Sequence, residues 1–505
     1  MRLAALCAVL AAGCTTDFSK EDTSADDASD TGGDTHTDGP GDAPGDAPGD
    51  VPGDVLPDGP LPEVNCRQIR DVANVFPTTT HIPFGCDPSS GDCMATAIWI
   101  MEQGANLIVI HGSEGVVVDP GARLIANMLG VGDLRIRSQM IIHDSAPYDT
   151  NIRGGSLVER TEDWDVLLVS AVDEDATGGP SWNIRRVAVT ITGSDTMDYD
   201  EDVLLEPGVP QSMGALLNPR GVYMRDSSSL HVLVQLTDWT GWETNQLFGA
   251  TLTRDVFDGG GIAFSDEFHP MQPDMTGTFY VGRPDVSEGT LVIPFMEIVR
   301  TPASIGSGLW VHHGAITPGS TMGKLVFEGT RSTTASVAGT FRAPGTYAAT
   351  AVTTNSEYVP ETPLAPPYQL DSAVIVGDEI DGTSITGRDV FEEINYSGTG
   401  DFLTWDVTDT VVLHDPTTGF HYYIHPFYDE FGNAMVGIFP LREDGTAGGE
   451  PLFVSTGQHV MPAFDATINP ETGAIYLARH METGTVLTAD IPGFAVTEIS
   501  CPIIE

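Results

Sequence analysis

Lysine is almost missing from this 505-residue chain. Lys20 and Lys324 are the only two, and lysine and arginine together number 22 against 72 aspartates and glutamates. The formal charge is −50. A surface so poor in cations cannot neutralise phosphates, which excludes nucleic acid as a partner. Anionic lipid headgroups would be repelled for the same reason, so membrane attachment has to come from something other than the surface of the fold. Protein or glycan partners of neutral or basic character fit this balance. An acidic face also attracts divalent cations, calcium among them, but solubility in a salty exterior explains the charge as well.

Sharp catalytic motifs are missing too. The chain has no Gly-x-Ser-x-Gly elbow, no His-Glu-x-x-His, no phosphate-binding Gly-Lys loop and no dinucleotide fingerprint. This excludes the easily recognised hydrolases and nucleotide enzymes. Helical periodicity is scarce: no segment sustains it beyond ten residues, and Gly121–Met128 comes nearest, with one or two turns expected there.

Cysteine is sparse, with six residues, and no Cys-x-x-Cys pair points to a metal site. Cys7 lies in the leader and Cys14 closes it. Cys66, Cys86, Cys93 and Cys501 remain, an even number with three possible connectivities. Spacing favours Cys86–Cys93 across the turn Asp87–Asp92, and hence Cys66–Cys501, which would join the two ends of the folded part. In the chain-entropy picture a loop that long contributes about 4–5 kcal/mol, less any native strain.

What the chain does contain starts at Met1. Arg2 leads into the apolar run Leu3–Ala12, far short of the ~20 residues that span a bilayer, and small residues close on Cys14. A charged start, a brief apolar run and a small-residue end make a secretory leader. The ending Leu10-Ala11-Ala12-Gly13-Cys14 resembles the lipobox of bacterial lipoproteins, with Ala11 where the usual Leu would stand one place later. That resemblance implies a signal peptide over 1–13, acylation of Cys14 as the mature N-terminus and lipid anchoring in the membrane. Thr15 follows the cysteine rather than Asp, which by the sorting rules of such lipoproteins implies the outer membrane, facing the periplasm or the cell surface.

Residues 14–65 read as a disordered tether. Between 15 and 65 there are 14 acids, one lysine and no aromatic residue except Phe18, and the unit Pro-Gly-Asp-x runs four times from Pro40 to Val55. Like charges repel along such a chain and proline blocks helix, so a solvated spacer is expected.

From Cys66 to Glu505 the apolar runs are short, β-branched or aromatic, and bounded by Gly, Pro, Asp or Asn. Examples are Leu107–Ile110, Val187–Ile191, Leu291–Phe295 and Tyr422–Ile424. The class is all-β. Asn469-Pro470-Glu471-Thr472-Gly473-Ala474-Ile475-Tyr476 echoes Asp415-Pro416-Thr417-Thr418-Gly419-Phe420-His421-Tyr422, with a shorter copy at Asn218–Tyr223 and a trace at Asp119–Gly121. Asx-Pro starts a tight turn, Gly accepts positive φ, and an aromatic strand resumes. Adding the turns at Thr161–Asp163, Pro284–Gly289 and Ala343–Gly345 makes seven. Their spacing suits four-stranded repeat units. This pattern resembles a β-propeller, and the turn Asn469–Tyr476 is similar to those of TolB-like and related bacterial propellers. The resemblance implies a propeller over 66–505, seven-bladed within a range of six to eight. The alternative is two β-sandwich domains divided in the proline-rich stretch Tyr358–Pro367.

Three clusters could carry chemistry. Trp239 and Trp242 beside Glu243 could stack a sugar ring and hydrogen-bond its hydroxyls, or supply one acid of a glycosidase pair; a hairpin tip whose indoles cover a neighbour is the simpler expectation. His421 and His425 share one face of a strand ahead of Tyr428, Asp429 and Glu430, but four strand residues span about 13 Å, too far for one metal, so surface or core histidines are expected. Asp195, Asp198, Asp200, Glu201 and Asp202 make a dense acidic stretch without EF-hand spacing, expected as a solvated loop. The function that fits is a lipid-anchored, non-enzymatic binding or scaffold protein of the bacterial envelope. The alternative is a polysaccharide-active enzyme of glycoside hydrolase or lyase type on the same scaffold.

Overall fold

The computed structural model describes residues 61–75, 81–83, 98–115, 122–144, 152–159, 164–174, 179–203, 209–210, 215–223, 229–237, 245–253, 266–268, 277–283, 285–287, 290–300, 305–313, 323–329, 337–343, 346–354, 368–376, 410–428, 434–458, 464–481 and 493–504. The fold is all-β: among the described residues every regular element is a strand. Contacts separate Met1–Leu61 from Pro62–Glu505, and the latter is one compact unit.

That unit contains seven antiparallel sheets of three or more strands among the described residues, taken here in chain order. Sheet 1 runs His81–Pro83 and Ile98–Gln103, Asn106–Gly115, Ala122–Gly130, Ile136–Asp144; sheet 2 runs Ile152–Glu159, Trp164–Glu174, Gly179–Gly193, Thr196–Val203. Sheet 3 spans Ala215–Phe268, sheet 4 Gly277–Gly329 and sheet 5 Val337–Val376. Sheet 6 runs Val411–His414, His421–Tyr428, Ala434–Leu441, Leu452–Gln458. Sheet 7 breaks chain order. Its strands are Phe464–Ile468, Ile475–Met481, Gly493–Ser500 and, outermost, the N-terminal strand Arg67–Val75. A two-stranded ribbon, Glu63–Val64 with Ile503–Ile504, completes the joining of the two ends. Among the described residues, pairing begins at Glu63.

Neighbouring relations follow the chain. The first strand of sheet 2 lies beside that of sheet 3, those of sheets 5 and 6 touch, and those of sheets 6 and 7 touch. Asp285–Ser287, at the end of the first strand of sheet 4, contacts the first strands of sheets 3 and 5. Phe464–Ile468 of sheet 7 returns to Ile98–Gln103 of sheet 1. Sheets 1 and 2 meet through Ile136–Asp144 and Thr196–Val203.

The core is a set of layers between sheets, and strand alternation decides which layer each residue joins. In sheet 1, Ile108, Ile110, Leu124, Ala126 and Met128 pack with Val187 and Val189 of sheet 2. Leu107, Val109 and Leu129 point the other way, against Tyr476, Ala478, Phe494 and Val496 of sheet 7. Ile475, Leu477 and Ile499 of sheet 7 in turn face Tyr422, Ile424, Val436 and Ile438 of sheet 6. Each such Val, Leu, Ile, Met or Phe contributes about 1.5–3 kcal/mol when fully buried.

Several expectations are corrected here. From Ala122 on, the stretch expected as helical is not: Ala122–Gly130 is a strand of sheet 1, buried on both faces from Leu124 onward, so its sequence shows no alternation. Asp198, Asp200, Glu201 and Asp202 do not form a loop. They lie on the strand Thr196–Val203, an edge of sheet 2, where Asp198 and Asp200 are exposed and Glu201 pairs with Arg185 at 2.9 Å. Charge on an edge strand discourages pairing with another chain. Asn218-Pro219 sits inside the strand Ala215–Tyr223, at a break in register between Leu217 and Arg220, rather than between two strands. The stretch Tyr358–Pro367 joins Thr346–Thr354 to Tyr368–Val376, which pair with each other residue by residue. It therefore divides no domains.

Candidate functional site

Two groups of polar residues stand out from the apolar layers, one at the first strands of sheets 1, 4, 5 and 7 and one at the end of the sheets where the two ends of the folded unit meet.

At that end, the two repeated turns have one design. Asp415 N–H donates to Phe420 O at 2.9 Å and Gly419 N–H to Asp415 O at 2.8 Å; the matching bonds at Asn469 are 2.9 Å to Ala474 O and 2.8 Å from Gly473 N–H. The Asx side chain accepts from the backbone that follows: Thr417 N–H to Asp415 Oδ1 at 2.8 Å, and Glu471 and Thr472 N–H to Asn469 Oδ1 at 3.0 and 2.9 Å. Gly419 and Gly473 take φ of +79° and +69°, where only glycine is unstrained.

These turns also link one sheet to the next. A methyl at Gly473 would lie 2.7 Å from Asp415 Oδ2, so the turn of sheet 7 packs on the buried carboxylate of the turn of sheet 6. Asn469 Nδ2 then donates to Glu102 Oε1 of sheet 1 at 2.9 Å. Pro62–Cys66 reaches the same end. Val64 N–H donates to Gly448 O at 2.8 Å, Asn65 N–H to Pro502 O at 3.0 Å, and Arg442 Nε to Pro62 O at 2.9 Å. Cys66 and Cys501 form a disulfide there, as cysteine arithmetic expects.

Sheet 7 is fastened internally by charge. Arg479, almost wholly buried, grips Asp71 of the N-terminal strand with both terminal nitrogens, and Thr497 Oγ1 donates to Asp71 Oδ1 at 2.8 Å. Burial raises the Asp71 pKa, but the hydrogen bond and charge of Arg479 and the Thr497 hydroxyl outweigh it, so the carboxyl is held below its ordinary 3.8. Arg70 pairs with Glu498 on the adjacent strand and donates to Val131 O of sheet 1 at 2.6 Å.

On Phe464–Ile468, the first strand of sheet 7, Asp465 is fully buried. Its Oδ2 accepts from Ile100 N–H of sheet 1 at 2.9 Å, and its Oδ1 pairs with Arg283, which follows the strand Gly277–Val281 of sheet 4, at 2.7 Å. Sheets 4, 7 and 1 are thereby joined through one carboxylate. Thr340 of sheet 5 donates to Asp285 Oδ2 of sheet 4 at 3.2 Å. None of these partners is suggested by sequence spacing, because 182 residues separate Arg283 from Asp465.

The histidines read from sequence are core residues. His421 and His425 are buried; His421 stacks on His414 at 4.8 Å and His425 on Tyr423 at 5.8 Å. Burial pushes the His425 pKa down to about 3, so its ring is neutral in ordinary buffers. Among the described residues no three His, Cys, Asp or Glu side chains gather as a metal site. Cys14, Cys86, Cys93, Trp239, Trp242, Glu243 and Asp429 lie outside the described residues.

Neither a protein-family model nor a curated protein matches the sequence. Similar solved structures include a Hadza microbial sialidase, Hz136, at 10% identity, TM-score 0.42, covering 76% of this chain and 74% of the other. The Dos1 propeller matches at 11% and TM-score 0.39, covering 80% of this chain and 78% of its own. The β-propeller domain of the Trilobed protease from Pyrococcus furiosus matches at 10% and TM-score 0.36, covering 80% of this chain and 94% of its own. These likenesses are distant, and the fold described above rests on the strand pairings alone.

Proposed function

We propose that this chain is an exported, lipid-anchored β-propeller of the bacterial outer membrane that binds a neutral or basic protein or glycan without transforming it. Seven meander sheets, each beside the next, with the N-terminal strand completing the last, support a seven-bladed reading. The disulfide supports an oxidising compartment.

The observation that carries the reading is directional. Pro62–Cys66, Cys501–Ile504 and the turns 415–420, 442–450 and 469–474 share one end of the strands, as the registers His414↔His421, His421↔Leu441, Ile475↔Ile499 and Arg67↔Ser500 require. A chain anchored at Cys14 would reach the folded unit at that end. The strand ends Tyr428, Ala434, Gln458, Phe464, Met481 and Gly493 lie at the opposite end from Pro62, where the chain enters the folded unit, and that opposite end supports the ligand-binding reading.

The test has two arms. Cys14→Ser should leave the membrane fraction; normal partitioning of that variant removes the anchor from the proposal. The oxidised protein is then offered a panel of envelope polysaccharides, with retention and release of reducing ends read together. Retention without release is expected. Release that is lost in Glu243→Gln would overturn the non-enzymatic reading in favour of a glycan-active enzyme.

A further inference from the structure

We propose that the Cys66–Cys501 disulfide is a mechanical lock, diverting tension that arrives along the N-terminal segment away from the outer strand of sheet 7. The origin of that tension rests on the tethered reading above; the lock itself does not.

Arg67–Val75 is the edge strand of this sheet that the N-terminal segment enters directly. It is outermost, paired among the described residues with Gly493–Ser500 on one side. A pull on its N-terminal end would open the antiparallel ladder one pair at a time, Arg67↔Ser500 first. What precedes it is short and non-covalent: the pairs Glu63↔Ile504 and Val64↔Ile503, the Val64 and Asn65 backbone bonds, and the hold of Arg442 on Pro62. Each such hydrogen bond is worth only about 1 kcal/mol net.

The disulfide stands between this clamp and the strand. Tension reaching Cys66 passes through sulfur to Cys501, directly after Gly493–Ser500. That strand lies inside the sheet, hydrogen-bonded to Arg67–Val75 on one side and Ile475–Met481 on the other. Load between the two ends of the chain therefore runs through the sulfurs and past both Arg67–Val75 and Gly493–Ser500, leaving the ladders of the sheet unloaded. The Asp71–Arg479 pair adds a side-chain fastening beneath the same ladders.

The full oxidised chain, with handles at its two ends, is stretched in an optical trap. Extension should come only from residues outside 66–501, with no release of the interior. With thiol added, or in Cys66→Ala/Cys501→Ala, a low-force step freeing Arg67–Val75 and Gly493–Ser500 should come first. Release of the 435-residue span, about 150 nm of chain, should follow. Interior release from the oxidised chain overturns the lock. So does a reduced chain that gives way in one step with no earlier loss of the closing strands. If the double variant does not fold, thiol added to a folded chain already in the trap makes the same comparison. Cys14→Ser should behave like the parent in the trap, which separates failure of the lock from failure of the anchor.

Discussion

Arg479 and Asp71, 408 residues apart in sequence, meet as a two-pronged ion pair at 3.0 and 2.7 Å, with the Thr497 hydroxyl within hydrogen-bond reach of both. One residue comes from near the end of the chain and the other from its first long strand. The pair binds the two ends of the folded unit independently of the disulfide. Asp71→Ala leaves a guanidinium buried without its carboxylate and should cost about 3 kcal/mol. Asp71→Leu with Arg479→Met, which removes both charges, should recover most of that loss. Urea unfolding of the oxidised proteins at neutral pH reads both, and equal losses in single and double variants would refute the coupling.

The same carboxyl sets an acid dependence. Its folded pKa lies below the ordinary 3.8, so its contribution to stability is complete above that value and fades as pH falls through the folded pKa. Asp71→Asn, weaker at neutral pH, should decline less steeply than the parent below about pH 4. Parallel declines would mean that other carboxyls govern acid unfolding.

His425 works over a higher range. The unfolded ring titrates near 6.5 and the folded one near 3, so protonation favours the unfolded chain throughout the interval between. Stability that is complete above pH 6.5 should fall on acidification by up to about 1.4 kcal/mol per pH unit. His425→Leu should flatten this part of the profile, as thermal melts between pH 7 and 4 will register.

The paired turns give an internal comparison. Gly419 and Gly473 share positive φ, but a methyl at Gly419 meets open space whereas one at Gly473 meets the Asp415 carboxylate at 2.7 Å. Gly419→Ala should cost about 1 kcal/mol, the strain of left-handed backbone alone. Gly473→Ala should cost more, and Asp415→Ala should cost less in its presence than in the parent. Additive losses in this cycle would show that the two turns do not touch in solution.

The sequence was most legible where the physics is local. The turns at Asp415 and Asn469 announce themselves because Asx, Pro and Gly each do one thing over five residues. Five of the seven turn positions, near 162, 286, 344, 416 and 470, fall where the first strand of a sheet gives way to the second. The other two illustrate the limits. Pro219 lies within a strand, and Asp119–Gly121 falls between the second and third strands of sheet 1. Ala122–Gly130 was opaque for a different reason: Leu124, Ala126 and Met128 face sheet 2 while Leu129 faces sheet 7, and a strand buried on both sides carries no polar beat. The acidic run on Thr196–Val203 hid a strand because its pairing partner, Arg185–Gly193, supplies the apolar residues. Asp465 with Arg283, and Asp71 with Arg479, could not be paired from sequence at all, since nothing local marks residues that only the closure of the fold brings together.

The meeting of Glu63–Val64 with Ile503–Ile504 has a consequence for how this body can be rearranged. Its beginning and its end are neighbours, so neither is a privileged starting point. A short linker could join them, and the chain could be reopened in a connection such as 429–433 with every ladder still able to form. By the same token the whole body could be spliced into a surface loop of another protein, entering and leaving through one doorway.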